Sequence, residues 1–253
     1  MWNVKWYSNV GDFMIYVICG PTGVGKTKLS ILLAKKKNAI VLNADSMQVY
    51  KELNIATAKI KKNEMEGVPH YLFDIVSVKD EFNAYIYQKM GREILKNFKD
   101  RNIVIVGGTG LYIKALLYDY DFKNNDKNNN KLYNFVIIGL TRDRTNLYTT
   151  INNRVDEMIA SGLIDEAKSL YKKFKDNRAV NAAIGYKELF SYFKGDIPLE
   201  EAISLIKKNS RHYAKRQYTF FNNQFDNINW YNVDEVSFPY IIDEICKREV
   251  WHV

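Results

Sequence analysis

Apolar residues fall along this chain in two rhythms. In the first half they form short unbroken runs: Ile15–Cys19, Ala39–Leu42, Ile103–Val106 and Phe135–Leu140. Such runs, nearly without polar alternation, fit strands buried on both faces. Tyr71–Val76 is a weaker candidate of the same kind. Between the runs, apolar residues recur at helical spacing, as at Leu29, Leu32 and Leu33 and at Tyr87, Met90, Ile94 and Phe98. Strands separated by helices predict a parallel sheet with helices on both faces.

After Leu140 the rhythm is helical. Leu147, Ile151, Val155, Met158 and Ile159 share one face, as do Ile164, Ala167, Leu170 and Phe174. Pro198 suits the first turn of another helix, with Leu199, Ile203 and Ile206 inward, running through Arg211 to about Phe221. Tyr240–Cys246 reads as a closing helix. Asp119–Lys131 interrupts the pattern: it is polar and Asn-rich, and reads as a flexible surface loop or linker. The expected fold class is α/β, a parallel sheet flanked by helices with a helical C-terminal half. Residues 14–253 read as a single domain. Met14 is a candidate start directly before the first strand, which would leave 1–13 as an extension.

Composition changes the picture little. With 37 Lys and Arg against 29 Asp and Glu, the net charge is +8. That favours a polyanionic partner, and Lys-rich solvated helices explain it equally well. Two cysteines, Cys19 and Cys246, make no disulfide framework. This suits a reducing cytoplasm. No apolar run approaches the length of a membrane span.

Chemistry enters at Gly20, Pro21, Thr22, Gly23, Val24, Gly25, Lys26 and Thr27. They fit G-x-x-x-x-G-K-[ST], a phosphate-cradling loop between a strand and a helix. Backbone N–H groups at a helix start suit a polyphosphate. Lys26 adds a positive charge, and the Thr27 hydroxyl can ligate Mg²⁺. Asp45 comes just after the second strand. It is either a carboxylate facing the same crevice or the cap of the next turn. Gly107–Gly110 comes after the third buried run. It is either a place of close backbone approach, with Thr109 as a hydroxyl donor, or a tight turn. Arg211–Asn222 interleaves cations with aromatics. That suits a nucleic acid, or a solvated basic face over an aromatic core. No apolar run ends in the paired acidic residues of hydrolytic NTPases, which weakens an ATPase reading.

Together these stretches resemble the tRNA dimethylallyltransferase (tRNA isopentenyl transferase) family. The resemblance rests on G-P-T-x-x-G-K-T at Gly20–Thr27, N-A-D-S-M-Q-V-Y at Asn43–Tyr50, A-T-A-K at Ala56–Lys59 and G-V-P-H at Gly67–His70. G-G-T-G-L-Y at Gly107–Tyr112, R-V-D at Arg154–Asp156, A-I-G-Y-K-E at Ala183–Glu188 and Y-A-K-R-Q at Tyr213–Gln217 complete it, in the family's order.

The resemblance implies a P-loop NTPase-like fold and transfer of a dimethylallyl group from dimethylallyl diphosphate to N6 of adenosine 37 in tRNA. The phosphate loop then holds the diphosphate leaving group, with Mg²⁺ at Thr27. By position, Asp45 takes the proton of the N6 amine, Thr109 orients the base and Lys26 stabilises the leaving group. Arg154 helps hold the diphosphate. Ser46, Met47 and Gln48, then Ala182, Ala183, Ile184, Gly185, Tyr186 and Lys187, then Lys215, Arg216, Gln217, Tyr218, Thr219, Phe220, Phe221 and Asn222, would contact the anticodon stem-loop. The family precedent is a monomer. One departure stands out: the helical domain that members insert after the G-G-T-G-L-Y helix is reduced here to about Asp119–Lys131. A P-loop small-molecule kinase, an AMP-type isopentenyltransferase and a non-catalytic RNA-binding protein are the rival readings.

Overall fold

The computed structural model describes residues 13–122 and 130–250. The first half alternates as expected: β1 (Ile15–Cys19), α1 (Lys26–Lys37), β2 (Ile40–Asn43), β3 (His70–Tyr71), α2 (Ala84–Asn97), β4 (Ile103–Val106), α3 (Gly110–Leu117) and β5 (Phe135–Thr141). The second half continues with α4 (Arg144–Ala160), α5 (Leu163–Phe174), α6 (Arg178–Ala182), α7 (Tyr186–Lys194), α8 (Leu199–Gln224), β6 (Ile228–Asn232) and α9 (Phe238–Val250). The strands make one parallel sheet in the order β3-β2-β4-β1-β5-β6. This is the predicted α/β class.

Side chains alternate through the sheet and feed two cores. Val17, Cys19, Leu42 and Ile105 face α2 and α3, with Phe221 and Phe225 from the end of α8. Tyr16, Ile18, Val41 and Val104 face α1 and α9. Each fully buried side chain of this size contributes roughly 1.5–3 kcal/mol. A third core lies off the sheet. Val49, Tyr50 and Leu53, just beyond β2, pack against Val155, Leu163, Leu170, Tyr186, Leu189 and Ile206 of the helical half. That packing carries the helices over the carboxyl ends of β1, β2 and β4, where open parallel sheets form their ligand crevice.

The structure departs from expectation in four places. Tyr71–Val76 is not one strand: Leu72 and Asp74 take left-handed φ of 62° and 53°, so pairing stops after Tyr71. Val76 makes only an isolated bridge to Tyr50. β6 has no clear sequence signal, because Ile-Asn-Trp-Tyr-Asn is half-buried throughout at a sheet edge. The second half of the A-I-G-Y-K-E motif opens a helix, α7, that periodicity does not announce. Pro198 precedes α8 as its cap, and the helix extends three residues past Phe221.

The Asp119–Lys131 segment leaves and re-enters the domain at one point. Its ends are clipped by a Tyr118–Lys131 bridge, and the Asp119 N–H donates to the Asn130 carbonyl at 2.9 Å. Residues 123–129 of that loop, and residues 1–12 of the expected extension, lie outside the described residues.

Candidate active site

β1 delivers the chain into the phosphate loop and α1 begins at Lys26. Gly25 holds φ 88°, a left-handed conformation that opens the helix start without strain only for glycine. No side chain caps this helix, and its first turn has no acid, so its N–H groups and positive end face the crevice uncompensated. The Lys26 ammonium folds back onto the loop, donating to the Gly20 and Pro21 carbonyls at 2.9 and 2.7 Å. Burial lowers its pKa to about 8. The Asp45 carboxylate opposes that shift, and the Arg154 guanidinium adds to it. Arg154, on α4, donates to the Thr22 hydroxyl at 3.1 Å. Below the loop, burial pushes the Cys19 thiol up to about 12, so it is an inert core residue.

Across the crevice, β2 ends in buried Asn43, whose side chain shapes the turn beyond the strand. Its carbonyl accepts from the Asp45 N–H at 3.0 Å, and its amide donates to the Leu72 carbonyl at 2.9 Å. One Asp45 oxygen accepts the Met47 N–H at 2.9 Å. Asp45 therefore does both things the sequence allowed: it closes a local turn and presents its carboxylate to the cavity. Thr109 ties this turn to the next loop. Its hydroxyl accepts from the Ser46 N–H at 3.0 Å and reaches the Ser46 hydroxyl at 3.2 Å. Its N–H donates to the Ala44 carbonyl at 3.1 Å.

Both sides open into one cavity of about 750 Å³. Lys26, Thr27, Asp45, Ser46, Met47, Gln48, Arg154, Ala182–Gly185, Lys187, Arg216 and Gln217 all line it. The whole lining carries five cations, Lys26, Lys28, Arg154, Lys187 and Arg216, against Asp45 and Glu157, a balance that suits a phosphorylated ligand. Tyr213 also lines it, a member of Y-A-K-R-Q for which the resemblance implies no role. Its hydroxyl faces Thr109 and Gln217 beside Asp45; burial, and then the Asp45 charge, raise its pKa well above the usual phenol range. The signal that could have found it is its place one turn before Gln217 on the same helix face.

Two of the expected tRNA contacts are large core side chains that do not line the cavity. Tyr186 is fully buried, and its hydroxyl donates to Glu166 at 2.6 Å. Phe221 is buried against Phe225 beneath the sheet. Neither presents a surface to RNA. Val24 is buried too, so only its backbone serves the loop. Lys215, Tyr218, Thr219 and Asn222 are exposed along α8 outside the main cavity. With Arg216 and Phe220, Lys215 and Thr219 edge a second, shallower groove of about 340 Å³. Tyr218 leans on Trp230, ring centres 5.1 Å apart.

Sequence reasoning misses the side chains that hold the far wall. Glu166 accepts from the Ile55 N–H at 2.9 Å as well as from Tyr186. Glu188 accepts from the Gly185 N–H at 2.8 Å and from Asn209 at 2.7 Å. Lys59 of the A-T-A-K stretch donates to the Tyr50 carbonyl and to Asn54 at 2.6 and 2.9 Å and pairs with Asp74. It is a clamp, not a ligand group. Among the described residues, no cluster of three or more acidic, His or Cys side chains could hold a metal, and no helix is long and apolar enough to cross a membrane.

Comparison with known proteins agrees with this geometry. The IPP transferase family model matches residues 48–132 and 121–224, two pieces that meet in the shortened loop. The tRNA dimethylallyltransferase of Anoxybacillus flavithermus is 39% identical, covering 91% of this chain and 94% of the relative. Its alignment runs over 295 positions against 253 residues here, so the relative carries chain that this one lacks. The crystal structure of tRNA delta(2)-isopentenylpyrophosphate transferase from Staphylococcus epidermidis superposes with a TM-score of 0.86 at 34% identity, covering 93% of this chain and 98% of that one. The tRNA isopentenylpyrophosphate transferase of Bacillus halodurans gives 0.84 at 37%, with 94% and 96% covered. A P-loop fold, a carboxylate that shares a cavity with that loop, and this likeness over almost the whole chain place the protein in the tRNA dimethylallyltransferase family.

Proposed function

We propose that this chain transfers a dimethylallyl group from dimethylallyl diphosphate to N6 of adenosine 37 in the anticodon stem-loop of tRNAs that read codons beginning with U. The observation that carries the reading is the shared cavity. A phosphate loop stands on one side and Asp45 on the other, with Thr109 tied to the Asp45 turn through Ser46.

In this reading the N6 nitrogen attacks the allylic carbon. The new C–N bond forms as the C–O bond to diphosphate breaks, and Asp45 takes the amine proton. Thr109, held by Ser46, orients the base. The loop N–H groups, Lys26 and Arg154 stabilise charge gathering on the departing diphosphate, which favours a carbon that carries partial positive charge. The Lys26 ammonium leaves the Gly20 and Pro21 carbonyls for the phosphate oxygens. The donor set at the loop, one Thr27 hydroxyl and no acidic cluster among the described residues, fits Mg²⁺ held largely by water and substrate phosphates. When bound there, the ion neutralises leaving-group charge. Adenosine 37 is flipped out of its stack to enter the cavity. The exposed cations Lys187, Lys215 and Arg216 meet the RNA backbone, and the enzyme works as a monomer in the cytoplasm.

The test is to incubate the protein with labelled dimethylallyl diphosphate, Mg²⁺ and a stem-loop with adenosines at positions 36 to 38. Label in the RNA is the expected result. Its absence at every salt concentration overturns the proposal.

A further inference from the structure

Gln217 sits about two turns before the end of α8 and is only 5% exposed. The resemblance places it among the tRNA contacts, yet its amide is spent inside the protein. Its oxygen accepts the Thr22 N–H at 2.8 Å, and its nitrogen donates to the Gly108 carbonyl at 3.1 Å. Thr22 belongs to the phosphate loop after β1. Gly108 belongs to the turn after β4, the neighbouring strand, which carries Thr109. One planar amide therefore spans the donor side and the acceptor side of the cavity.

Three further observations bear on this link. A Cβ at Gly108 would run into the Gln217 amide nitrogen, so that glycine is matched to this side chain. Thr22 is gripped a second time, through its hydroxyl, by Arg154. The Tyr213 hydroxyl, one helical turn earlier, faces both Gln217 and Thr109. The link thus has support on either end.

We infer that Gln217 is a positioning residue that sets the spacing between the phosphate loop and the Thr109 turn, and that this spacing decides whether the allyl carbon meets adenine or water. The inference rests on the prenyl-transfer reading above. Reacting atoms must stand about 3–3.5 Å apart, and a misplacement of ~1 Å costs on the order of a hundredfold in rate. A carbon with developing positive charge is trapped by whichever nucleophile is in reach. If the acceptor turn drifts, water attacks that carbon, the C–O bond to diphosphate breaks, and the water proton passes to solvent. The products are then dimethylallyl alcohol and diphosphate, with the RNA unmodified.

The experiment measures diphosphate released per adenosine prenylated, with full kinetics, in the full chain and in three variants. Gln217→Glu keeps the shape and loses the donor, Gln217→Met loses both bonds, and Gly108→Ala displaces the amide without altering it. A thermal melt selects the folded variants, so failure of one to fold leaves the others to decide. In wild type the ratio should be one. In the folded variants kcat for prenylation should fall about 30- to 100-fold, KM for either substrate should move less than threefold, and the ratio should exceed two. A ratio of one in the folded variants, whatever their rate, overturns the inference, because a merely structural role would lower activity without diverting it to water. If wild type itself fails to prenylate the RNA, the functional reading falls instead.

Discussion

The two walls of the cavity are made in different ways. The donor wall is one contiguous stretch, Gly20–Thr27, whose shape comes from a strand, a glycine at positive φ and a helix start. The acceptor wall is assembled from Asn54–Lys59, Ala182–Glu188 and α8, and buried side chains far apart in sequence hold it, as where Glu166 spans 111 residues to Ile55; Gln217, which spans 195 to Thr22, belongs to neither wall and ties the two together. Backbone cradles are set by local chain geometry, so damage to them should register mainly as lost rate. Side-chain scaffolds answer to buried hydrogen bonds, so damage to them should register first as lost stability and weakened RNA binding.

The largest expected effect is at the point where the walls meet. Asp45→Asn should lower kcat by about 10²–10⁴-fold with RNA affinity, read by filter binding, unchanged. Near-full activity would remove Asp45 as the base.

Next comes Lys26 on the donor wall, whose pKa burial lowers to about 8. The charged form binds diphosphate, so binding is complete below that pH and lost above it. Calorimetry with diphosphate and Mg²⁺ should show affinity falling roughly tenfold between pH 8 and 9 or a little beyond. In Lys26→Met the dependence should be flat and weak throughout; a wild-type curve that is flat across this range would show that the buried ammonium does not control the donor wall.

A smaller effect on rate, and a larger one on folding, is expected from Glu166→Ala. It leaves the Ile55 N–H and the Tyr186 hydroxyl without their acceptor, a cost of about 2–4 kcal/mol. Thermal melting should drop by several degrees and KM for RNA should rise, with kcat close to wild type. A drop in kcat at unchanged stability would erase the distinction between the walls.

The smallest effect is at the rim. Lys215→Ala should weaken RNA binding modestly and reduce the slope of log affinity against log salt by about one. An unchanged slope would remove Lys215 from the RNA path.

The legible parts are those where the physical cause is local. The four strong apolar runs are β1, β2, β4 and β5 within a residue or so, because strands buried on both faces carry no ambiguity of side. The long helix through Arg211 is readable from its period. β6 is not, since a half-buried edge strand mixes Asn with Trp and Tyr. β3 is shorter than its apolar run, because left-handed turns at Leu72 and Asp74 have no glycine to announce them. In the site, Thr22, Gly23, Gly25, Lys26, Thr27 and Asp45 line one cavity, and Thr109 joins them only through Ser46. Tyr186 and Phe221 mislead, because a motif records that a residue matters and is silent on whether it faces the ligand or the core.

By itself, the amino-acid sequence determined the donor wall, the sheet class and the family, since each depends on contiguous residues whose spacing is their geometry. Only the tertiary structure decided which residues of Y-A-K-R-Q reach the cavity, that Tyr213 faces Asp45, and that Gln217 joins two loops. Those facts depend on how α8 is rolled over the sheet. That rotation is set by packing against two separate cores, and no stretch of chain encodes it alone.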